Sequence, residues 1–196
     1  DVYKRQVDNG ANIINLSFVG SGFSRTLDNA IRRAYKTGAI VVAAAGNEDD
    51  GGEGYNMDKT PMYPVCNNGL ASENMVLGVT ATDALDEKAD FAGFGFRCID
   101  IAAPGVSIFN TTVYAPEHKS DDPSFVLYYN GYWSGTSMAA PMVSGALALI
   151  EAVNPALNRD EVINVLLTNS NNINRLDPSY LGSLGRGRLN VEAAVR

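Results

Sequence analysis

Apolar positions along the chain fall into short, unbroken runs separated by longer segments with a one-sided pattern. Runs at 12–19, 39–45, 74–81 and 99–105 are rich in small and β-branched residues, and each predicts a buried strand. The run at 39–45, AIVVAAA, is apolar at every position, which is typical of a central parallel strand that helices cover on both faces.

Helices are predicted between and after these strands. Residues 24–38 place their apolar side chains on one stripe, with cap signals at both ends. Residues 136–153 are almost entirely apolar, so we expect a long helix at the centre of the fold. The pair Asn158 and Glu161 forms a capping-box pattern for the next helix. Together these segments predict an α/β fold with a mainly parallel sheet and helices on both faces.

Composition narrows the class of protein. The 196 residues are 45% hydrophobic, enough for one well-cored domain or most of a larger one. The formal net charge of −7 disfavours nucleic acid as a partner, because a phosphate backbone would be repelled. Apolar runs such as 39–45 are too short to span a bilayer, so we expect no membrane partner.

The first six residues, DVYKRQ, match no amphipathic pattern. We interpret residues 1–6 as an irregular end that does not fit the fold, with a dibasic processing site at Lys4 and Arg5 as the alternative. The folded part of the chain is then expected to span residues 7–196.

Cys66 and Cys98 are the only cysteines in the sequence. Their spacing excludes a structural zinc site of the C-x-x-C type, and we expect no metal ligands here. A disulfide and two buried thiols both fit the sequence, so the redox compartment stays undetermined.

The segment at 135–141, GTSMAAP, places Ser137 at the predicted start of the long apolar helix. A serine hydroxyl needs a base and donors for an oxyanion before it can act as a nucleophile. The first turn of a helix supplies backbone N–H groups without intrahelical partners and partial positive charge. Ser137 is therefore a candidate nucleophile, and the alternative is a serine that only caps the helix.

All seven positions of 135–141 resemble the serine motif of subtilisin-like serine proteases, G-T-S-M-A-x-P. The segment AAAGNED resembles the one whose asparagine donates to the oxyanion in that family, and this implies the same role for Asn47. Thr136, beside the nucleophile, is expected to add a hydroxyl to the same oxyanion.

The segment NLSFVG resembles the substrate strand of the family, to which an extended peptide adds through main-chain hydrogen bonds. The resemblance implies that the backbone contacts come from Ser17, Phe18 and Val19. It implies that one wall of the pocket, for the side chain before the scissile bond, is formed by Ala44, Ala45 and Gly46. The family usually has glycine where this chain has Val19, which leaves the side-chain preference open.

The family's aspartate lies in a D-[ST]-G context and its histidine in H-G-T-H, and neither motif occurs in this sequence. The only histidine, His118, lies in a charged segment 19 residues before Ser137, and we interpret it as a surface residue. The resemblance, which runs from about Val7 to Val195, therefore implies that residues 7–196 are the C-terminal part of one catalytic domain. We predict that this part, without the N-terminal part of its own domain, is inactive and poorly stable.

These observations favour a serine endopeptidase that acts on peptides or proteins through an acyl-enzyme on Ser137 and needs no cofactor. By analogy with most relatives it would be secreted or held in the cell envelope. The alternative is a non-catalytic peptide-binding relative that has lost its base. A third hypothesis, a sugar- or protein-binding module, is supported only by a group of aromatic residues, Tyr114, Tyr128, Tyr129, Tyr132 and Trp133.

The acidic, glycine-rich segment at 48–58 invites comparison with a calcium loop. It lacks the glutamate that an EF-hand has at its twelfth position, so a solvated loop is the preferred interpretation. Many members of the resembled family bind structural calcium, and the sequence leaves calcium open for this chain.

Overall fold

A computed structural model of the chain describes residues 2–48, 52–69 and 73–196. Its centre is a parallel sheet with the strand order β1-β2-β3-β4. The strands are β1 (Ile13–Leu16), β2 (Ile40–Ala44), β3 (Val76–Thr82) and β4 (Ile101–Pro104). Every residue of β2 and β3 is buried, which explains why these strands are apolar throughout.

Helices cover both faces of this sheet, as the sequence predicts. On one face α2 packs with Val41 and Ala43, and on the other α3 and α4 pack with Ile40 and Val42. The helices are α1 (Val2–Asp8), α2 (Arg25–Lys36), α3 (Thr136–Val153), α4 (Arg159–Thr168) and α5 (Val191–Ala194). The capping-box prediction for α4 is confirmed, because the Asn158 side chain and the Glu161 side chain each accept from the other's backbone N–H.

The interpretation of residues 1–6 as an irregular end is wrong for residues 2–6, which belong to α1. Asn9 donates its N–H to the carbonyl of Arg5 at 3.0 Å, and Asp8 forms an ion pair with Arg33 of α2. Val7 packs against the core on the α2 face. A helix of seven residues is too short to show a clear amphipathic stripe, so the hydrophobic pattern did not reveal it.

Between β4 and α3 the chain forms an antiparallel hairpin of β5 (Ile108–Thr111) and β6 (Tyr129–Trp133). The aromatic residues of the hairpin are largely exposed and stack in pairs, such as Tyr114 with Tyr128, whose ring centroids are 4.3 Å apart. The hairpin leads directly into the first turn of α3.

Helix α3 is long and apolar enough, by length and composition alone, to cross a membrane. The argument from short apolar runs, such as the one at 39–45, does not cover this helix. In the fold it packs across all four strands of the sheet, and seven of its residues are buried there. Its apolar character is thus accounted for by its place in the core.

The two cysteines form a disulfide between Cys66 and Cys98, with Cα atoms 4.9 Å apart. This resolves the alternatives that the sequence left open. The bridge connects the loop before β3 to the turn before β4 on the α2 face of the sheet.

The two edge strands of the sheet differ in how far other segments cover them. At β4, Ala102 donates its N–H to the carbonyl of Gly187 at 2.9 Å and accepts the N–H of Leu189 at 2.8 Å, so the C-terminal segment covers this edge. Strand β1 ends the described sheet on the other side, and three of its four residues are less than fully buried. A groove of about 260 Å³ lies against β1 and α2, with Ile14 and Leu27 among its apolar lining.

A lysine is buried near the β4 side of the molecule. The Lys88 ammonium lies within hydrogen-bond distance of the carbonyls of Glu53, Ala89, Asp90 and Ala92, at N–O distances of 2.7 to 3.1 Å. Burial lowers the pKa of Lys88 below its ordinary value, and surrounding carboxylates oppose that shift. Two aromatic rings also face the ammonium, those of Phe94 and Tyr180.

Candidate active site

Ser137 is the second residue of α3, and Gly135 is the N-cap. The Ser137 hydroxyl donates to the carbonyl of Ser17 at 3.1 Å, and the Ser17 hydroxyl donates to the carbonyl of Ser137 at 3.0 Å. This reciprocal pair joins the first turn of α3 to the segment that directly follows β1. The structure therefore brings the candidate nucleophile and the candidate substrate strand into contact.

Pro141 explains why the Ser137 carbonyl is available for this contact. It lies in the second turn of α3, later than the first-turn position that proline tolerates best. A residue at 141 with an N–H would donate to the carbonyl four residues earlier, which is that of Ser137. Proline has no N–H, so the carbonyl accepts the Ser17 hydroxyl instead.

Two polar side chains extend the contact and were not singled out from the sequence. Asn15 donates from Nδ2 to the Ser17 hydroxyl at 2.8 Å. Ser144, two turns along α3, donates to Asn15 Oδ1 at 3.0 Å. Asn15 is the first residue of the substrate-strand motif, so the motif could have indicated it. No sequence motif indicates Ser144, because its role depends on α3 lying across β1.

Asn47 follows β2 directly and is tied to the residue before Ser137. Its Oδ1 accepts the backbone N–H of Thr136 at 2.9 Å and the Thr136 hydroxyl at 3.0 Å. The NH2 group of an asparagine side chain cannot accept a hydrogen bond, so the Thr136 N–H determines the orientation of the Asn47 amide. The two N–H donors on Nδ2 are the part of Asn47 that remains for another acceptor.

The expectation that Thr136 adds its hydroxyl to an oxyanion is corrected by this geometry. The single hydroxyl hydrogen donates to Asn47 Oδ1, and the oxygen accepts the N–H of Gly46 at 2.9 Å. The side chain is fully buried. Thr136 thus positions Asn47 and does not face the space in front of Ser137.

Gly135 keeps space open next to the Asn47 amide. A Cβ at position 135 would lie 3.1 Å from Asn47 Nδ2 and would crowd the donor. The glycine before Thr136 in the serine motif is therefore explained by this close approach.

The pocket residues inferred from the sequence lie on two adjoining segments. Ala44, Ala45 and Gly46 are buried at the end of β2. Opposite them Ser17 and Val19 are half-buried and Phe18 is 43% exposed. The Tyr63–Pro64 bond is cis, and Tyr63 pairs with Gly20, the residue after Val19.

His118 lies away from these contacts, in a short 3-10 turn of the hairpin connection. Its side chain is 60% exposed, and its Nδ1 lies 3.1 Å from the Asp121 carboxylate. This agrees with the surface role inferred from the sequence. The single histidine of the sequence does not accept from the Ser137 hydroxyl, which donates its hydrogen bond to the Ser17 carbonyl.

The sequence profile of the subtilase family, peptidase S8, matches residues 1–187. The chain belongs to the subtilase family. It is 36% identical to subtilisin DY of Bacillus licheniformis over 190 residues, which cover 96% of this chain and 58% of that protein. It is 34% identical over 188 residues to an extracellular protease of Xanthomonas campestris, covering 95% of this chain and 29% of that one.

Solved structures show the same relationship. Proteases from Pseudoalteromonas arctica PAMC 21717 superpose on this subtilase with a TM-score of 0.73 at 31% identity, covering 95% of this chain and 51% of that one. The prenylagaramide maturation protease PagA gives a TM-score of 0.74 at 27% identity, covering 98% and 64%. The chain thus spans between about a third and two thirds of the relatives it matches.

The prediction of an α/β subtilisin-like fold is therefore confirmed, and the subtilase family places the chain in the serine peptidase class. Among residues 2–48, 52–69 and 73–196, no cluster of three His, Cys, Asp or Glu side chains is arranged to hold a metal ion. Part of the acidic segment at 48–58, namely 49–51, lies outside the described residues.

Proposed function

We propose that this subtilase chain carries the nucleophile and oxyanion donor of a serine endopeptidase. The observation that carries the proposal is the fixed amide of Asn47. Thr136 occupies its Oδ1 with two hydrogen bonds, and Nδ2 is left as a donor beside the first turn of α3. Such a donor, oriented before the reaction begins, is what stabilisation of an oxyanion requires.

In the proposed reaction Ser137 Oγ attacks the carbonyl carbon of a peptide bond, and its proton passes to a histidine base. The carbonyl oxygen becomes an oxyanion that accepts from the Ser137 N–H and from Asn47 Nδ2. The intermediate collapses, the C–N bond breaks, and the histidine gives its proton to the leaving amine. Water then hydrolyses the ester on Ser137 by the same route. None of these steps uses a cofactor.

The histidine and its aspartate would come from a part of the domain that precedes residue 1 in the chain. The half-buried β1 and the apolar groove beside it support this proposal, because an additional strand at this edge would cover them. We therefore propose that residues 1–196 alone have no protease activity.

The proposed substrate is a peptide or protein that binds in extended form along Ser17–Val19. The exposed Phe18 and the half-buried neighbours leave this segment accessible to a peptide backbone. We further propose that the protein is secreted: one relative is named an extracellular protease, and the Cys66–Cys98 disulfide fits an oxidising compartment.

The test uses the full-length gene product that contains this chain, with residues 1–196 alone as a second sample. A small serine-directed fluorophosphonate should label the full-length protein at Ser137, as located by peptide mapping. Ser137→Ala should abolish the labelling, and the control Ser134→Ala should keep it. Absence of labelling at Ser137, or a coding frame that lacks H-G-T-H upstream of residue 1, would reject the endopeptidase and leave a peptide-binding relative.

A further inference from the structure

The two walls of the proposed substrate pocket touch each other at Val19 and Gly46. A Cβ placed on Gly46 would lie 2.6 Å from Val19 Cγ1 and 3.4 Å from Val19 Cγ2. The isopropyl group of Val19 therefore rests on the bare Cα of Gly46. The space between the walls, where a substrate side chain would enter, is occupied by the protein's own side chain.

The Val19 side of this contact is held in place. The next residue, Gly20, exchanges two backbone hydrogen bonds with Tyr63, each 2.8 Å long. The Tyr63 ring packs edge-on against Phe23, with centroids 5.3 Å apart. The β-branched side chain of Val19 is also restricted at χ1, which limits its rotation away from this contact.

The Gly46 side is equally constrained. Its N–H donates to the Thr136 hydroxyl at 2.9 Å, and its carbonyl accepts the N–H of Gly93 at 2.9 Å. Its φ of +95° is a conformation that favours glycine. Any shift of this wall would also move the next residue, Asn47, which Thr136 holds in place as the proposed oxyanion donor.

We propose that Val19 restricts this protease to substrates with a small residue, such as glycine, alanine or serine, before the scissile bond. The inference rests on the proposed function and adds its specificity. Larger side chains would have to displace the Val19 methyl groups against two anchored walls. A pocket of this kind discriminates by about 10- to 200-fold for each methylene that does not fit.

The experiment compares tetrapeptide p-nitroanilides that differ only in the last residue, which is Ala, Leu or Phe. The active sites in one aliquot of the full-length protein are counted by titration with the small fluorophosphonate. For each substrate, kcat/KM is then measured on untreated protein from the same preparation, per titratable site. Val19→Gly removes the obstruction, and Val19→Ala removes most of it with less effect on the backbone. Val19→Thr keeps the shape of valine and is the matched control.

We expect the wild-type protein and Val19→Thr to prefer Ala over Phe by at least about tenfold. In Val19→Gly and Val19→Ala that ratio should fall by at least about tenfold, because kcat/KM for Phe rises. The inference fails if the wild type cleaves the Ala and Phe substrates equally. It also fails if the Ala-to-Phe ratio is unchanged in both smaller variants. In either case the proposed function would stand. A protein that is not labelled at all would overturn the proposed function and this inference with it.

Discussion

The two edges of the sheet differ in how completely they are built. At β4 the backbone groups of Ala102 are paired with the segment at 187–189, and the strand is buried. At β1 the residues are only partly buried and an apolar groove lies alongside. The proposed nucleophile contacts the segment after β1, the less complete edge, while the proposed oxyanion donor follows the buried strand β2.

This difference separates two halves of one reaction. The donors for an oxyanion depend on β2 and α3, both of which are deeply packed within the described residues. The proton acceptor would depend on whatever pairs with β1. Packing therefore holds the proposed oxyanion donors in place, and the proposed base would join where packing is least complete.

The largest effect on the rate is expected from the part of the domain that we propose covers the β1 edge. The full-length protein should hydrolyse a peptide ester, whereas residues 1–196 alone should be slower by about 10⁶-fold, the scale on which loss of the base acts in subtilisin. Steady-state rates normalised to protein concentration measure this. Comparable rates for both samples would show that the chain has its own base and would break the comparison.

Removing the interior donor should come next. Asn47→Ala in the full-length protein should lower kcat by about 10² to 10³-fold with little change in KM, because the amide acts on the transition state. This figure was measured for the corresponding donor in subtilisin. The control Asn154→Ala, at the far end of α3, should leave kcat unchanged. A change confined to KM would contradict the oxyanion role.

The covered edge has a titration of its own. Burial raises the pKa of Asp100 to about 6, opposed by hydrogen bonds from the Gly78 N–H and Asn74 Nδ2. Between pH 4 and 6 the folded state holds a proton that the unfolded chain has lost. The free energy of unfolding should therefore fall by up to about 3 kcal/mol as the pH rises through this window.

Asp100→Asn should remove this fall. The new amide can donate to Asn74 Oδ1, which is buried without a hydrogen-bond partner among the described residues, once the Asn74 amide turns over. Urea unfolding of the full-length protein at pH 4.5 and 6.5 measures the difference. The exposed control Asp121→Asn should keep the wild-type dependence, and a dependence that persists in Asp100→Asn would assign it to other carboxyls.

The smallest effect is expected at Thr136, which acts through Asn47. Thr136→Val removes the hydroxyl that donates to Asn47 Oδ1 and should lower kcat by about tenfold, the value of one hydrogen bond. Thr136→Ser keeps the hydroxyl and should restore most of the rate. If the valine variant retained the full rate, the backbone N–H of Thr136 alone would suffice to hold the amide.

Much of the fold was accessible from the sequence, because β2, β3 and α3 are apolar for reasons that burial alone explains. The proximity of the GTSMAAP segment to Asn47, seen here as hydrogen bonds between Thr136 and Asn47, also followed from short motifs. What stayed hidden depends on neighbours distant in sequence. The acceptor of the Thr136 hydroxyl, the carbonyl freed by Pro141 and the bond between Cys66 and Cys98 are all decided by three-dimensional proximity.

The ammonium of Lys88, enclosed by backbone carbonyls, affects how the stability of the protein depends on the ions in its medium. A dissolved ion bound to such a ring of oxygens stabilises a fold by an amount that depends on its free concentration, and chelation or dilution removes it. A charge on a side chain has no free concentration to lose. At any pH below the lowered pKa of Lys88, this corner of the molecule therefore keeps its cation whatever the ion content of the medium, from ion-rich fluid to chelating buffer.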